Sequence, residues 1–243
     1  GVHRRQRQMC IRDRDRNIIA IGGGGFGRSL GNLKIEKHII SLARNDHPNV
    51  CFIPTATGDN DAYKVNFYSV FTQLGCNATH VDFFKRTIDL ESHIANQDII
   101  FVGGGNTKSM LAVWKDWGLD VILKEAYLNG VIMCGVSAGA ICWFEKGISD
   151  SWAHDLAIID CLGFVEGVCC PHYDEEPNRI PYVKKILEQH LIKDCIGIEG
   201  NCALHIKNDQ IMHAINFGDD KNTFHIKLHD NEISHTEFPV ISI

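Results

Sequence analysis

Hydrophobic residues recur along this chain in short runs separated by amphipathic stretches and glycine-rich turns. Apolar runs at 17–21, 50–54, 78–84, 98–102 and 131–136 predict buried β-strands. The stretches between them predict helices at 33–43, 59–75, 107–114 and 120–129. Strands that alternate with helices in this way are typical of βαβ units on a parallel sheet with right-handed crossovers.

The pattern changes in the second half of the chain, where short strands predominate. We expect a strand at 163–170 and a helix from Pro177 to about residue 191. Further short strands are predicted at 195–198, 203–206, 211–214, 223–227 and 232–235. No repeat or interdomain linker interrupts the pattern. The sequence therefore predicts one α/β domain over residues 17–243, in three αβα layers with a mostly parallel sheet and a β-rich C-terminal end.

Residues 1–16 do not share this pattern. They contain six arginines and no hydrophobic period, so we expect a non-native or disordered tail, with a basic interaction tail as the alternative. The chain as a whole has a net charge of −6, and residues 17–243 alone carry 18 basic and 28 acidic residues, a net charge of −10. A net negative charge over residues 17–243 argues against a nucleic-acid partner.

Composition adds an expectation about compartment. Hydrophobic residues make up 44% of the chain, which is enough for a core, and no apolar run approaches the length needed to span a membrane. The ten cysteines lie mostly within apolar patterns, as expected of buried thiols in a reducing cytoplasm. We therefore expect a cytoplasmic protein without a membrane partner. The oligomeric state stays open, and a homodimer is one candidate.

Two further motifs suggest bound groups, and neither is convincing. The run Cys169-Cys170-Pro171-His172 resembles a metal cluster, but adjacent cysteines on a strand point to opposite faces, so we expect no metal. Gly22-x-Gly24-x-x-Gly27 follows a strand and matches the dinucleotide-binding pattern. The second strand, however, ends in Pro54-Thr55-Ala56-Thr57, without the carboxylate that would hold a ribose. We expect no cofactor, and expect the loop to border the active site.

The most informative segment is Gly135-Val136-Ser137-Ala138-Gly139, which follows an apolar strand and precedes an apolar helical start. This is the G-x-S-x-G pattern in the strand–turn–helix setting of a nucleophile elbow. Glycine on both sides permits a sharp turn that leaves the Ser137 hydroxyl exposed. We expect the Ala138 N–H to hold an oxyanion, with Gly105 of the Gly103–Asn106 loop as the second donor and Asn106 as a substrate contact.

A serine nucleophile needs a base and an acid. His172 is the preferred base because it ends a strand after a proline and enters a polar loop, and His154 is the weaker alternative. For the acid, Glu199 follows a short buried strand and precedes a glycine, with Asp150 and Asp174 as alternatives. Position at a strand end makes Glu199 the best of the three.

With Ser137, His172 and Glu199 in this order, the chain resembles the peptidase E family of serine peptidases, whose fold is related to the flavodoxin-like class I glutamine amidotransferases. The resemblance is carried by Phe101–Thr107, Gly135–Ala140, Pro171–Asp174 and Ile198–Asn201. It implies a Ser-His-Glu triad, with Asp150 as the reserve acid. It also implies hydrolysis of short peptides, dipeptides with an N-terminal aspartate in particular.

The resemblance also implies a residue that binds the substrate carboxylate. Arg179 matches the position of an arginine that grips the aspartate side chain in the family's dipeptidases, and a guanidinium fork suits a carboxylate. The loop from His172 to Arg179 is shorter than in the family's type member, a bacterial α-aspartyl dipeptidase, and it carries three acidic residues that would repel an acidic substrate. This weakens the expectation of aspartate specificity.

Other functions remain open at this point. Another serine hydrolase could use the same elbow, either a cyanophycinase-like peptidase or an esterase of α/β-hydrolase type with a late histidine such as His213 or His225. A third class is a non-catalytic homologue that binds a small molecule.

Overall fold

In a computed structural model, which describes residues 14–243, the predicted alternation of strands and helices is present in the first half of the chain. The strands there are β1 (Asn17–Ile21), β2 (Asn49–Ile53), β3 (Asn77–His80), β4 (Ile99–Val102) and β5 (Ile132–Val136). The helices are α1 (Lys34–Ser41), α2 (Asp61–Gln73), α3 (Leu90–Ala95), α4 (Thr107–Trp117), α5 (Leu119–Leu128) and α6 (Ala138–Ile141).

The second half is mainly strands, as expected. They are β6 (Phe144–Ser149), β7 (Ala157–Asp160), β8 (Val165–Pro171), β9 (Asp194–Ile198), β10 (Cys202–Lys207), β11 (Gln210–Asn216), β12 (Thr223–His229), β13 (Glu232–Glu237) and β14 (Val240–Ser242). A single helix of this half, α7 (Arg179–Glu188), begins two residues after the predicted Pro177 start.

The strands form two mixed sheets, and this confirms the α/β class. The larger sheet has the order β14-β11-β10-β1-β5-β4-β2-β3, with parallel pairing from β1 to β3 and an antiparallel β1–β10 pair. The smaller has the order β13-β12-β9-β8-β6-β7, with β6, β8 and β9 parallel to one another. The β-rich end of the chain thus extends one sheet and builds most of the second.

Alternation of side chains along β1 shows how the larger sheet is buried on both faces. Ile19 and Ile21 pack with α1 and α2, against side chains such as Phe67. Ile18 and Ala20 point the other way, into a core that includes Trp114 of α4 and residues of the smaller sheet. A sheet covered on both faces exposes its strand ends, and in α/β proteins ligands bind at the carboxyl ends.

The chain after the elbow differs from the prediction. The sequence predicted an apolar helical start after the elbow and no strand before residue 163, but α6 has only four residues and is followed by β6 and then β7. The helix is short because Phe144 pairs with Val165 of β8, so this apolar segment is buried by sheet pairing instead of helix packing.

The prediction for residues 1–16 lies mostly outside the described residues. Residues 14–16 contact the domain: Arg16 pairs with Asp209 at 2.6 Å, and Asp15 pairs with Lys207 at 2.8 Å. The nine cysteines from Cys51 to Cys202 are free thiols, eight of them buried. Among the helices of residues 14–243, none has the length and apolar character required to cross a bilayer.

Candidate active site

Ser137 lies at a sharp turn between β5 and α6. Its backbone has φ 57° and ψ −110°, a strained conformation typical of a nucleophile elbow. Glycine is required on both sides because a Cβ at Gly135 or Gly139 would collide with the Val102 carbonyl of β4. The Ser137 amide donates to the Ile21 carbonyl at 3.0 Å, which fixes the turn against β1.

His172 follows β8 and brings its imidazole to this serine. Its Nε2 lies 2.6 Å from the Ser137 Oγ, and its Nδ1 lies 3.0 Å from Oε2 of Glu175. The residue is 7% exposed, so the imidazole is largely shielded from water. The two strand ends belong to different sheets, and the site forms where those sheets meet.

The acid that contacts the histidine differs from the predicted one. The Glu199 side chain is turned away from His172, and its Oε2 accepts a hydrogen bond from the backbone N–H of Asn222 at 2.9 Å. Asp150 lies 4.0 Å from the Arg179 guanidinium. The two ring nitrogens of His172 contact Ser137 and Glu175, and neither Glu199 nor Asp150 forms a hydrogen bond with the imidazole.

Glu175 was overlooked because it belongs to the run Asp174-Glu175-Glu176, which suggests a solvated acidic loop. A signal was present in the spacing. A strand-end histidine followed three residues later by a glutamate suits a turn, and the Glu175 amide does donate to the His172 carbonyl at 3.0 Å. The turn places both side chains on the same side.

Burial and charge act in opposite directions on the imidazole. Burial lowers the pKa of His172, and the hydrogen bond to Glu175 and the charge of Glu176 raise it. The positive charges of Arg179 and Arg28 lower it further. The net effect lowers the pKa of His172 from the ordinary value of a histidine, which favours the neutral ring that can accept a proton.

The Gly103–Asn106 loop lies beside the nucleophile. Gly104 packs against it, since a Cβ there would lie 3.3 Å from the Ser137 Cβ. Gly105 has φ +136° and faces the Ala56 carbonyl, to which the Asn106 amide donates at 2.8 Å. The predicted loop is therefore at the serine.

The two predicted substrate contacts are already engaged within the protein. Asn106 caps α4, accepting from the Ser109 amide at 2.8 Å and donating to the Ser151 carbonyl at 3.2 Å. Arg179 is 1% exposed. Its Nε donates to Glu176 at 2.8 Å and its Nη1 to the Ile148 carbonyl at 2.9 Å. Both side chains hold elements of the protein together.

The first glycine loop borders the site. Gly23 lies against the His172–Glu175 hydrogen bond, and Gly22 against the Glu199 and Ile198 carbonyls. Within residues 14–243, no group of three or more His, Cys, Asp or Glu side chains is arranged to hold a metal ion.

In an α/β protein, a serine at a sharp turn after a strand, with a histidine hydrogen-bonded to its hydroxyl, is typical of hydrolases. The family model of peptidase family S51 matches residues 18–214. The chain belongs to peptidase family S51 and is a peptidase.

Relatives agree with this assignment. The chain is 40% identical over 226 residues to the protein named Uncharacterized peptidase YgaJ of Bacillus subtilis (strain 168), covering 93% of this chain and 98% of that one. It is 31% identical over 141 residues to Peptidase E of Salmonella arizonae, covering 56% and 59% of the two chains. The crystal structure of a peptidase from an acI-B1 Actinobacterium shares the fold, with a TM-score of 0.62 at 18% identity over 92% of this chain and 94% of that one.

Proposed function

We propose that this chain is a serine peptidase that hydrolyses short peptides, with Ser137 as nucleophile, His172 as base and Glu175 as acid. The observation that carries the proposal is the 2.6 Å contact between His172 Nε2 and Ser137 Oγ. A hydroxyl this close to a largely buried imidazole can transfer its proton as the oxygen attacks. The proposal also draws on the membership of family S51.

The chemistry follows from these contacts. Ser137 Oγ attacks the scissile carbonyl carbon as its proton passes to His172 Nε2. The Ala138 and Gly105 amides are the proposed donors to the resulting oxyanion. His172 then returns the proton to the leaving amine as the C–N bond breaks. Water next attacks the acyl-enzyme ester while His172 takes its proton, and His172 gives that proton to Ser137 Oγ as the ester bond breaks. Glu175 holds the Nδ1–H tautomer and stabilises the imidazolium while it exists.

The proposed substrates are short peptides, with dipeptides as the first to test. Selection for an N-terminal aspartate would depend on Arg179, and its guanidinium is buried against Glu176 and the Ile148 carbonyl. To bind a substrate carboxylate it would have to leave Glu176. We therefore propose no requirement for aspartate. The nine free thiols suit a reducing cytoplasm, where we propose that the enzyme acts.

The test is hydrolysis of Asp-Leu, Asn-Leu and Ala-Leu by the wild type and by Ser137→Ala. We expect the variant to lose about 10³-fold or more in kcat with unchanged thermal unfolding. Ser109→Ala is the matched control, because this exposed serine engages its neighbour Asn106 through its backbone amide. A serine-directed fluorophosphonate should label the wild type and the control but not Ser137→Ala. Full activity in Ser137→Ala would exclude Ser137 as the nucleophile.

A further inference from the structure

Tyr63 of α2 lies between the two glycine loops that flank the nucleophile. A Cβ added at Gly27, in the loop after β1, would lie 2.9 Å from the Tyr63 hydroxyl oxygen. A Cβ added at Gly103, in the loop after β4, would lie 2.8 Å from its Cε1. Strands β1 and β4 are the two neighbours of the elbow strand β5 in the sheet. One aromatic ring therefore spans the loops on either side of Ser137, and glycine at both positions leaves room for it.

Aromatic packing fixes the Tyr63 ring in this place. Its centroid lies 4.9 Å from that of Phe52 in β2 and 5.4 Å from that of Phe26 in the first glycine loop. Phe26 and Phe52 are buried, whereas Tyr63 is half-buried. Tilted and edge-to-face contacts of this kind restrict an aromatic ring. The ring is thus anchored in the core on one side and reaches the two loops on the other.

Both ends of the Gly103–Asn106 loop are fixed by backbone hydrogen bonds. The Gly103 amide donates to the Ile53 carbonyl at 3.2 Å, and the Asn106 amide donates to the Ala56 carbonyl at 2.8 Å. The accepting carbonyls belong to the end of β2 and the turn after it. These bonds leave the direction of the two amides in between to be set by other groups.

Tyr63 divides those two amides between the protein and the site. Burial raises the pKa of Tyr63 to about 12, against the opposing effect of a hydrogen bond between its hydroxyl and the Gly104 backbone. Gly104 is also the residue that packs on the nucleophile, since a Cβ there would lie 3.3 Å from the Ser137 Cβ. The Gly105 amide, by contrast, has no backbone acceptor among residues 14–243. An amide without a protein partner is available to a developing oxyanion.

We propose that Tyr63 is a positioning residue for the oxyanion hole: its ring holds the two glycine loops apart, and its hydroxyl engages Gly104 so that the Gly105 amide is left for the reacting carbonyl. This rests on the proposed function, because it assigns Tyr63 a task in the same site. Gly27, the last glycine of the pattern that resembles a dinucleotide-binding loop, then makes room for Tyr63 and not for a cofactor.

The physical reason for such a device is the freedom of a glycine-rich loop. Glycine accepts many backbone conformations, so a run of three does not by itself keep one amide in one direction. An oxyanion donor acts only when it is aimed at the place where charge develops, and removal of such a donor lowers kcat about 10²–10³-fold. A loop that is less well fixed should lose part of that factor. Ground-state binding depends little on this donor, so KM should change little.

The first experiment compares Tyr63→Phe with the wild type in dipeptide hydrolysis. Phenylalanine keeps the ring between the loops and removes only the hydroxyl, so we expect kcat to fall about 10-fold, with KM within about two-fold of wild type. Tyr68→Phe is the matched control, because it removes a hydroxyl of the same helix that bonds to His80 Nδ1 of the edge strand β3 at 2.7 Å. It should keep kcat within about two-fold.

A second variant displaces the ring instead of the hydroxyl. Gly27 does not have a positive φ, so its backbone would accept an alanine, and the added Cβ would press on the Tyr63 ring. We expect kcat to fall about 10-fold or more in Gly27→Ala, with thermal unfolding showing that the protein is folded. Gly31→Ala is its control, because a Cβ there would meet only the Ser29 hydroxyl at 4.0 Å.

The second experiment needs no peptide. A fluorophosphonate forms a P–O bond with Ser137 Oγ as the P–F bond breaks and fluoride leaves, while His172 takes the serine proton. Its phosphoryl oxygen occupies the oxyanion hole. The rate constant for labelling should therefore fall together with kcat in Tyr63→Phe and Gly27→Ala, and it should stay unchanged in Tyr68→Phe. Wild-type turnover and labelling in both Tyr63→Phe and a folded Gly27→Ala would overturn the positioning role.

The kinetic constants separate this role from two others. A raised KM with unchanged kcat and labelling in Tyr63→Phe would make the hydroxyl a ground-state substrate contact and would also overturn the proposal. A wild type that reacts with the fluorophosphonate but cleaves no dipeptide would refute the proposed function. Slower labelling of Tyr63→Phe would in that case still support the positioning role.

Discussion

His172 and Glu175 form two hydrogen bonds with each other, one between backbone atoms and one between side chains. The Glu175 amide donates to the His172 carbonyl at 3.0 Å, and Glu175 Oε2 lies 3.0 Å from His172 Nδ1. The proposed base and the proposed acid therefore come from a single turn at the end of β8. Triad acids are often supplied by a separate segment, and here the local turn means that displacing the loop after β8 displaces both residues.

Replacement of the acid is the direct test of this relationship. Glu175→Gln keeps the shape of the side chain but loses the charge that stabilises the imidazolium, so we expect kcat to fall about 10³-fold. Glu199→Gln is the matched control, because Glu199 bonds to the Asn222 amide and not to His172. It should retain kcat within about three-fold. The opposite ranking of the two variants would restore Glu199 as the triad acid.

The pH dependence of kcat/KM tests the state of the base. His172 must be neutral to accept the serine proton, and burial lowers its pKa from the ordinary value of a histidine. The acid limb of the profile should therefore have its midpoint below the ordinary histidine value of about 6.5. Glu175 raises the pKa of His172, so Glu175→Gln should move that midpoint to still lower pH. A wild-type midpoint above 6.5 would show that the charges of Glu175 and Glu176 outweigh burial and the charges of Arg28 and Arg179.

The sequence predicted the elements that have a clear period and missed those that do not. Strands β1, β2, β4 and β5 are mainly apolar runs bounded by turns, and all four were located. β3, with the sequence Asn-Ala-Thr-His, was located within a strand predicted over 78–84. β6, with the sequence Phe-Glu-Lys-Gly-Ile-Ser, has no clear hydrophobic period and was not predicted. It forms because β7 and β8 lie on its two sides, which is a non-local condition.

The site shows the same division between local and non-local information. Ser137 and His172 lie at strand ends that the local pattern marks, and the structure brings them together. The choice between Glu175 and Glu199 depends on which side chain faces the imidazole. The side-chain orientation depends on the geometry of the loop after β8. It also depends on the space left by Gly23 and Gly200, which contact Glu175 from distant parts of the chain. The engagement of Arg179 with Glu176 and the Ile148 carbonyl is likewise set by packing.

Arg179 should matter for stability more than for substrate selection. Arg179→Met would leave Glu176 and the Ile148 carbonyl without their donors, and we expect the free energy of unfolding to fall by about 2–3 kcal/mol. Arg86→Met, at an exposed arginine, should change it little. Urea unfolding measures this. If Arg179→Met unfolds like the wild type but raises KM for Asp-Leu and not for Ala-Leu, then Arg179 binds the substrate carboxylate.

Three histidines meet far from the site, on the face of the larger sheet covered by α1. His38 of α1 lies 6.5 Å, ring to ring, from His205 of β10, which lies 5.2 Å from His213 of β11. His205 Nε2 bonds to Asn17 Oδ1 at 2.9 Å. One ring nitrogen of each histidine is buried without a hydrogen-bond partner among the described residues. A proton added here has no acceptor to stabilise it.

The His205 side chain should therefore make the stability of the fold depend on pH. Burial, with smaller contributions from His213 and His38, lowers the pKa of His205 from 6.5 to about 4. Between these values the unfolded chain binds a proton that the folded chain does not. Stability should thus fall as the pH drops from 6.5 toward 4, by up to about 1.4 kcal/mol per pH unit. Urea unfolding at about pH 7 and about pH 5 should show a smaller loss in His205→Asn than in the wild type or in His229→Asn, an exposed control. Equal losses in all three proteins would mean that His205 titrates alike in the folded and unfolded chain.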